Sequence, residues 1–240
     1  MFPKIKNGAI LIADAHENDR RDFFYHFLQK IESKEIETTQ LFLMGDMFDL
    51  LIGGIEYSIE KHKKYIDLID RISLHVEVFY FEGNHDFALK DIFQNVQVIS
   101  IQNQPMKFIL EDETPVILSH GDKYSGFAYG LYSSVIRSTF VLTLLNLIDK
   151  RNNNFISKKI ENDQFRKNIC YKMDDFKSLI KPKLANYSSE RQGYIVEGHY
   201  HQNQRFTIDE VNYINLSSFA CNKSYFIVDC YKKDKFTQTS

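Results

Sequence analysis

Val76-Glu77-Val78-Phe79-Tyr80-Phe81-Glu82-Gly83-Asn84-His85-Asp86 passes from a largely apolar run into a polar cluster, and the way it does so decides the fold. A run of four to six apolar residues bounded by Gly, Asn or Asp is the pattern of a strand covered on both faces. The pattern recurs along the chain. Residues 9–13 end at Asp14-Ala15-His16, and residues 41–44 at Gly45-Asp46-Met47-Phe48-Asp49. Residues 116–118 end at Ser119-His120-Gly121-Asp122, and residues 194–196 at Glu197-Gly198-His199-Tyr200-His201. Between the first three runs, apolar residues fall at helical spacing: Phe23, Phe24, Phe27, Leu28, Ile31, then Tyr65, Ile66, Ile69, Ile72. Strand and helix alternate, which predicts an α/β fold with parallel strands. Residues 211–216 and 225–228 read as further strands with short connections, extending the sheet or starting a second one.

Composition supports a single globular domain over residues 1–240: 43% of residues are hydrophobic and 26% charged, which excludes disorder, collagen and small disulfide scaffolds. A net charge of −2 predicts no attraction to nucleic acid. That charge is unevenly spread. Residues 123–185 hold twelve Lys/Arg against five acids, a net of +7, which leaves −9 for the rest. This basic segment reads as a helical insertion. Its first part, 127–148, is expected as one helix whose second half, with Leu142, Leu144, Leu145, Leu147 and Ile148, is apolar nearly all round; such a helix is buried or faces something apolar. A turn at Asn152-Asn153-Asn154 should lead to a more polar helical stretch ending near Pro182.

Three cysteines, Cys170, Cys221 and Cys230, give no disulfide framework and are expected as inert thiols in a reducing cytosol. The first residues, Met1-Phe2-Pro3-Lys4-Ile5-Lys6, do not resemble an export leader, and no run of about 18 apolar residues could span a bilayer. A cytoplasmic location is the expectation.

The polar clusters sit where an open α/β sheet places ligands, at the carboxyl ends of strands. Gly-Asn-His-Asp is expected by chance in roughly one chain in a thousand of this composition, and Gly-His-x-His in roughly one in a hundred. Their appearance together, each after a strand, points to one site. Carboxylates, an amide oxygen and imidazoles without thiolates suit Mn²⁺, Fe²⁺ or Zn²⁺. Seven candidate ligands exceed the needs of one ion. Two ions sharing a carboxylate would use them all, and such a pair is the clamp used for in-line phosphoryl displacement. For Asp49, Asp86 and Asp122 a loop-capping role is the competing reading. His26, His62 and His75 lie outside the clusters and read as ordinary helix or loop residues.

The ordered series Asp-x-His, Gly-Asp-x-x-Asp, Gly-Asn-His-Asp, His-Gly-Asp and Gly-His-x-His resembles the calcineurin-like metallophosphoesterases. The resemblance implies an αββα sandwich with a dinuclear site and a helical insertion over it. Asp14, His16 and His201 would hold the first ion and Asn84, His120 and His199 the second, with Asp46 bridging. Two divalent ions, Mn²⁺ first and Fe²⁺ or Zn²⁺ as alternatives, would acidify the attacking water. His85 would contact the phosphate or protonate the leaving oxygen, and Asp86 would orient His85.

More narrowly, residues 45–53, 83–89 and 119–122 with the helical insertion resemble the UDP-2,3-diacylglucosamine hydrolases of lipid A biosynthesis. That implies cleavage of a pyrophosphate in a UDP-linked lipid, at the inner face of the cytoplasmic membrane, with acyl chains against the apolar helix. His85 stands where those enzymes carry Arg, and their Asn-Ser-Lys type motif has only a loose echo at residues 154–159. Two alternatives stay open: a phosphodiesterase or phosphatase acting on a soluble phosphate ester, and a non-catalytic metal-stabilised scaffold.

Overall fold

The computed structural model describes residues 2–124, 127–187 and 193–239. Its strands are β1 (Lys4–Ile5), β2 (Ile10–Ile12), β3 (Gln40–Leu43), β4 (Leu51–Ile52), β5 (Glu77–Phe81), β6 (Asp86–Phe87), β7 (Gln97–Ile99), β8 (Met106–Leu110), β9 (Pro115–Ser119), β10 (Gly193–Glu197), β11 (Gln204–Ile208), β12 (Val211–Asn215), β13 (Tyr225–Val228) and β14 (Phe236–Thr239). The helices are α1 (Phe23–Glu32), α2 (Glu56–Lys61), α3 (Lys63–Ser73), α4 (Phe127–Ile136), α5 (Thr139–Arg151), α6 (Phe155–Phe165), α7 (Phe176–Leu184) and α8 (Phe219–Asn222).

Two six-stranded sheets form the centre, in the orders β14-β13-β2-β3-β5-β7 and β1-β8-β9-β10-β12-β11. β2, β3, β5 and β7 run parallel, as do β9, β10 and β12. Successive side chains point to opposite faces, and both faces are covered. Leu11, Phe42, Phe79 and Phe81 meet Phe108, Val116, Leu118, Val196 and Ile214 between the sheets. Ile10, Ile12, Leu41, Leu43, Val78 and Tyr80 pack outward against α1 and α3. Double burial is why these strands read as continuous apolar runs. Phe42 and Phe79 stack 4.7 Å apart in the inner layer, and truncating either to Ala should cost about 3–5 kcal/mol.

On the second sheet, Ile117, Ile195 and Tyr213 face out and are covered by Phe176 and Ile180 of α7. The layers are therefore helix, sheet, sheet, helix, the αββα sandwich.

The basic segment departs from its expected form in three ways. The predicted helix over 127–148 is two helices, α4 and α5, set 63° apart. The break falls at Arg137-Ser138, where the Arg137 side chain turns into the molecule; apolar periodicity does not register a bend caused by one polar anchor. The second helical stretch likewise divides into α6 and α7, and α7 runs past Pro182 to Leu184. Finally, α7 is an outer layer of the sandwich rather than part of a cover. Only Leu142 among the apolar residues of α5 is buried, against Ile55 and Phe87. Leu131, Tyr132, Val135, Phe140, Leu144, Leu147 and Ile148 are exposed. Among the described residues no single helix is long and apolar enough to cross a membrane.

The cysteine expectation is corrected too. Cys170 and Cys221 form a disulfide across 51 residues of sequence, and only Cys230, buried, is free. The pairing arises because the segment after α6 folds back onto α8, a contact no sequence spacing announces. The cysteine count therefore carries no argument for a reducing compartment.

Candidate metal centre

Every polar cluster singled out in the sequence lies at the carboxyl end of its strand. Their backbone is unusual: Asp14, His16, Asp46, His199 and His201 all have positive φ, between 44° and 64°. Non-glycine residues in this left-handed region each cost on the order of 1–3 kcal/mol, and such residues gather at functional sites. The alternation in Asp-x-His and His-x-His has this conformational meaning, since it turns both side chains of each pair into the site, Asp14 and His16 to one group and His199 and His201 to different ones. Glycine is required where the loops close. A Cβ on Gly83 would lie 2.2 Å from Asp46 Oδ1, and one on Gly45, at φ +91°, would lie 2.4 Å from His120 Nδ1.

Two groups of donor atoms result, Asp14, His16 and His201 in one and Asp46, His120 and His199 in the other, with the atoms of each within 4.8 Å of one another. In the first, His201 Nε2 lies 3.2 Å from Asp14 Oδ1 and 3.3 Å from His16 Nε2. In the second, His120 Nε2 lies 3.4 Å from both Asp46 Oδ2 and Asn84 Oδ1. Asn84 thus joins the second group. All seven predicted ligands converge, and the two groups contain no cysteine.

The surrounding hydrogen bonds fix which nitrogen of each imidazole is offered. His16 Nδ1 is 3.1 Å from Asp49 Oδ1, and Asp49 is itself held by Asn18 and Arg21. His120 Nδ1 donates to Met44 O and His201 Nδ1 to Ile169 O, at 2.9 and 2.6 Å. With Nδ1 occupied, Nε2 is left to face the cleft, the arrangement typical of metal-ligating histidines. Burial alone would raise the Asp46 carboxyl, yet His120, His85 and His16 hold it well below the ordinary carboxylate range. His120 is correspondingly held well above the ordinary imidazole value, against burial, by Asp46 and Asp122. Burial would lower His201 as well, but Asp14 raises it. His199 is pushed down to about 4 by burial and by His120. Protons on His120 and His201 thus balance the buried carboxylates where a cation's charge would. Donor type, convergence and charge all fit two divalent ions.

One positional expectation is corrected. Asp86 does not orient His85. Its carboxylate accepts from the backbone N–H groups of Asp46, Met47 and Gly83 and from Tyr80 Oη, at 2.6–2.9 Å. It is a brace between two ligand loops, and burial together with Asp46 raises it to about 7. His85 instead places Nδ1 3.2 Å from Asp49 O, while its own N–H donates to Asp46 Oδ1. Asp122 is fully buried, with one carboxylate oxygen 3.8 Å from Arg137. His62, outside the clusters, is buried against Phe48, as its bland reading suggested.

The sequence reading missed the residues that support the loops from behind. Glu82 and Glu197, each directly before a ligand-loop glycine, are buried and paired with Arg137 and Lys183. The repeated strand–Glu–Gly step was visible, but lysines and arginines in a basic helical segment read as solvated.

Two cavities adjoin the centre. An open cleft of about 310 Å³ is lined by His16, Asp46, Asn84, His85, His199 and His201 together with Gln164, Lys167 and Tyr171. A second cavity, about 260 Å³, is walled by Ile52, Ile55, Phe87, Ile136, Leu142, Leu145, Ile156 and Ile160. Asn84, His85, Gln164 and Lys167 line both, so the apolar cavity and the polar cleft are neighbours.

Comparison with known proteins agrees with the geometry. Residues 9–217 match the calcineurin-like phosphoesterase family. Among curated relatives, UDP-2,3-diacylglucosamine hydrolase of Coxiella burnetii is 22% identical, over 81% of this chain and 80% of its own. The enzymes of that name from Pseudomonas fluorescens and Haemophilus ducreyi are 24% and 25% identical, over 80% of this chain and 78% and 82% of theirs. A dimetal phosphatase from Danio rerio aligns over 93% of both chains at 14% identity and a TM-score of 0.45. A phosphoesterase from E. coli aligns over 97% of this chain and 98% of its own, at 10% identity and a TM-score of 0.44.

Proposed function

We propose that this chain, which belongs to the calcineurin-like phosphoesterase family and is a metal-dependent phosphoester hydrolase, acts on an amphiphilic pyrophosphate of the UDP-2,3-diacylglucosamine type, releasing UMP and the acylated sugar phosphate. The observation that carries this reading is the adjacency of the apolar cavity and the polar cleft, which share Asn84, His85 and Lys167 in their linings. An acyl chain in the cavity would leave a phosphate at the cleft. Each methylene so buried contributes about 0.8 kcal/mol.

In this scheme Asp14, His16 and His201 would hold one ion and Asn84, His120 and His199 the other, with Asp46 available to both. Two bound divalent ions, manganese in our reading, supply charge stabilisation at phosphorus and an acidified water. The chain does the rest. Burial lowers His85 below the ordinary imidazole value, so in this reading it contacts the phosphate as a neutral ring and protonates the leaving oxygen only after taking up the proton that the attacking water loses. Asp49 holds His16 in one tautomer, and Lys167, at the junction of the two cavities, attracts the second phosphate.

The relatives' name favours the same substrate. The exposed apolar residues Leu131, Phe140, Leu144 and Leu147, beside Arg151, Lys158 and Lys159, suit an anionic membrane face such as the cytoplasmic leaflet. In a reducing compartment the Cys170–Cys221 pair would stand as the dithiol.

The test is a rate comparison on the Mn²⁺-loaded protein. UDP-2,3-diacylglucosamine should be hydrolysed much faster than bis-p-nitrophenyl phosphate. The reverse ranking would assign the enzyme to soluble phosphate esters, and turnover of neither would leave a scaffold.

A further inference from the structure

The residues that back the second ligand group come from the basic segment, and they do so twice by the same device. At the break between α4 and α5, Arg137 is almost wholly buried. Its guanidinium lies 3.2 Å from Glu82 Oε2 and donates to Gly83 O at 2.8 Å. On α7, Lys183 Nζ donates to both Glu197 oxygens at 2.8 and 2.9 Å and to Gly121 O at 2.6 Å. In each case a cation carried by the segment meets a buried glutamate at a strand end and also grips a backbone carbonyl beside a ligand. Gly83 precedes Asn84, Gly121 follows His120, and Glu197 lies two residues before His199. Tyr187 and Tyr213 also donate to Glu197, so its carboxylate is fully engaged. Gln104 joins the two assemblies, donating to Glu82 O and accepting from His120 N–H.

A buried ion pair is weak evidence for stability, because desolvation offsets most of the attraction. Two such pairs, each aimed at a ligand loop, call for another reason. We infer that Arg137–Glu82 and Lys183–Glu197 are positioning pairs through which the basic segment sets the spacing of Asn84, His120 and His199, and so the affinity for the second ion more than for the first. The first group takes no support from Arg137–Glu82 and only an indirect one from Lys183–Glu197, since Asp14 accepts from His199 N–H and His201 follows on the same loop. Asp14 and His16 are held by Ser218 and Asp49, and His201 by Ile169.

The test reads metal binding rather than turnover. Single substitutions leave a buried glutamate unpaired and could unfold the chain, so the informative variants are the charge-neutral doubles Lys183→Met/Glu197→Gln and Arg137→Met/Glu82→Gln. Mn²⁺ titration of the metal-free protein should show two ions bound by the wild type. In either double the second dissociation constant should rise about 10–100-fold, the usual effect of losing an outer partner of a ligand, with the first unchanged in the Arg137 double and raised clearly less in the Lys183 double. The electron-paramagnetic signal of a coupled ion pair should give way to that of an isolated ion. Ile180→Val, which loosens the packing of α7 without touching its pair, should leave both constants as they were. Unchanged binding in both doubles would overturn the inference, and so would a parallel loss of both ions or an equal effect of Ile180→Val. A wild type that binds fewer than two ions would overturn it together with the dinuclear reading. The substrate proposal is untouched by any of these results except the last.

Discussion

The Asp14–His16–His201 and Asp46–His120–His199 groups are built from the same residue types and share left-handed backbone at their ligands, but different parts of the molecule stand behind them. Behind the second group lie the fully buried His120, the Asp86 brace and two ion pairs reaching in from α4–α5 and α7. In the first group Asp14 and His16 are as deeply buried, and His201 is partly exposed as His199 is in the second. His201 is oriented by Ile169 and capped by Lys172, which donates to His201 O. That segment lies at the surface and is tied to the core by the Cys170–Cys221 disulfide. One half-site is thus stabilised by desolvated charge and the other by a covalent tether at the surface. Alike in chemistry, they should differ in what dislodges them.

The largest effect should erase the difference. Asp46 faces His120 and takes a backbone hydrogen bond from His85, and Asp46→Ala removes the carboxylate assigned to both ions. Mn²⁺ stoichiometry should fall for both, and hydrolysis should drop at least about 10³-fold. Unchanged hydrolysis would remove Asp46 from the mechanism.

A smaller effect should separate the halves. Opening the disulfide with a dithiol reductant, or by Cys170→Ser, frees the segment that orients His201. The first Mn²⁺ should then bind about 10-fold more weakly while the second is unaffected. Calorimetric titration before and after reduction decides this, and an equal loss at both positions would dissolve the comparison.

The smallest effect tests the charge balance the halves have in common. His120 and His201 are raised by neighbouring carboxylates, whereas His199, at about 4, is already neutral. Metal should displace protons from the first two, so loading at pH 6 in a weakly buffered solution should release protons. Affinity should weaken as pH falls, because protons and cations compete for the same nitrogens. A pH-stat titration showing no release would contradict the assignment.

Legibility in the sequence follows the same division. β2, β3, β5, β9 and β10 were plain because both faces are buried, which leaves no polar residue to interrupt the run. β11, with the alternately exposed Gln204, Arg205, Phe206 and Thr207, and the two-residue β1 gave no such signal. The ligands were legible because their spacing expresses a local backbone requirement, one left-handed residue and then another. Their supports were not. Arg137 and Lys183 reach Glu82 and Glu197 over 55 and 14 residues, and Cys170 reaches Cys221 across 51. Charge and thiol count describe a residue, whereas these roles belong to pairs made only by folding. Asp86 was misread for the same reason: adjacency to His85 suggested a partner, but its carboxylate is taken up by the N–H groups of Asp46, Met47 and Gly83.

The five left-handed residues have one further consequence. Their twist is held by the sheets and the glycine loops, so the shape of the socket belongs to the fold itself. Oxygen and imidazole donors of this kind do not by themselves single out one divalent metal, whose choice then depends also on availability. Which element fills the socket would follow in part from what the surroundings supply, so the rate of catalysis would report the local metal economy as well as the abundance of substrate.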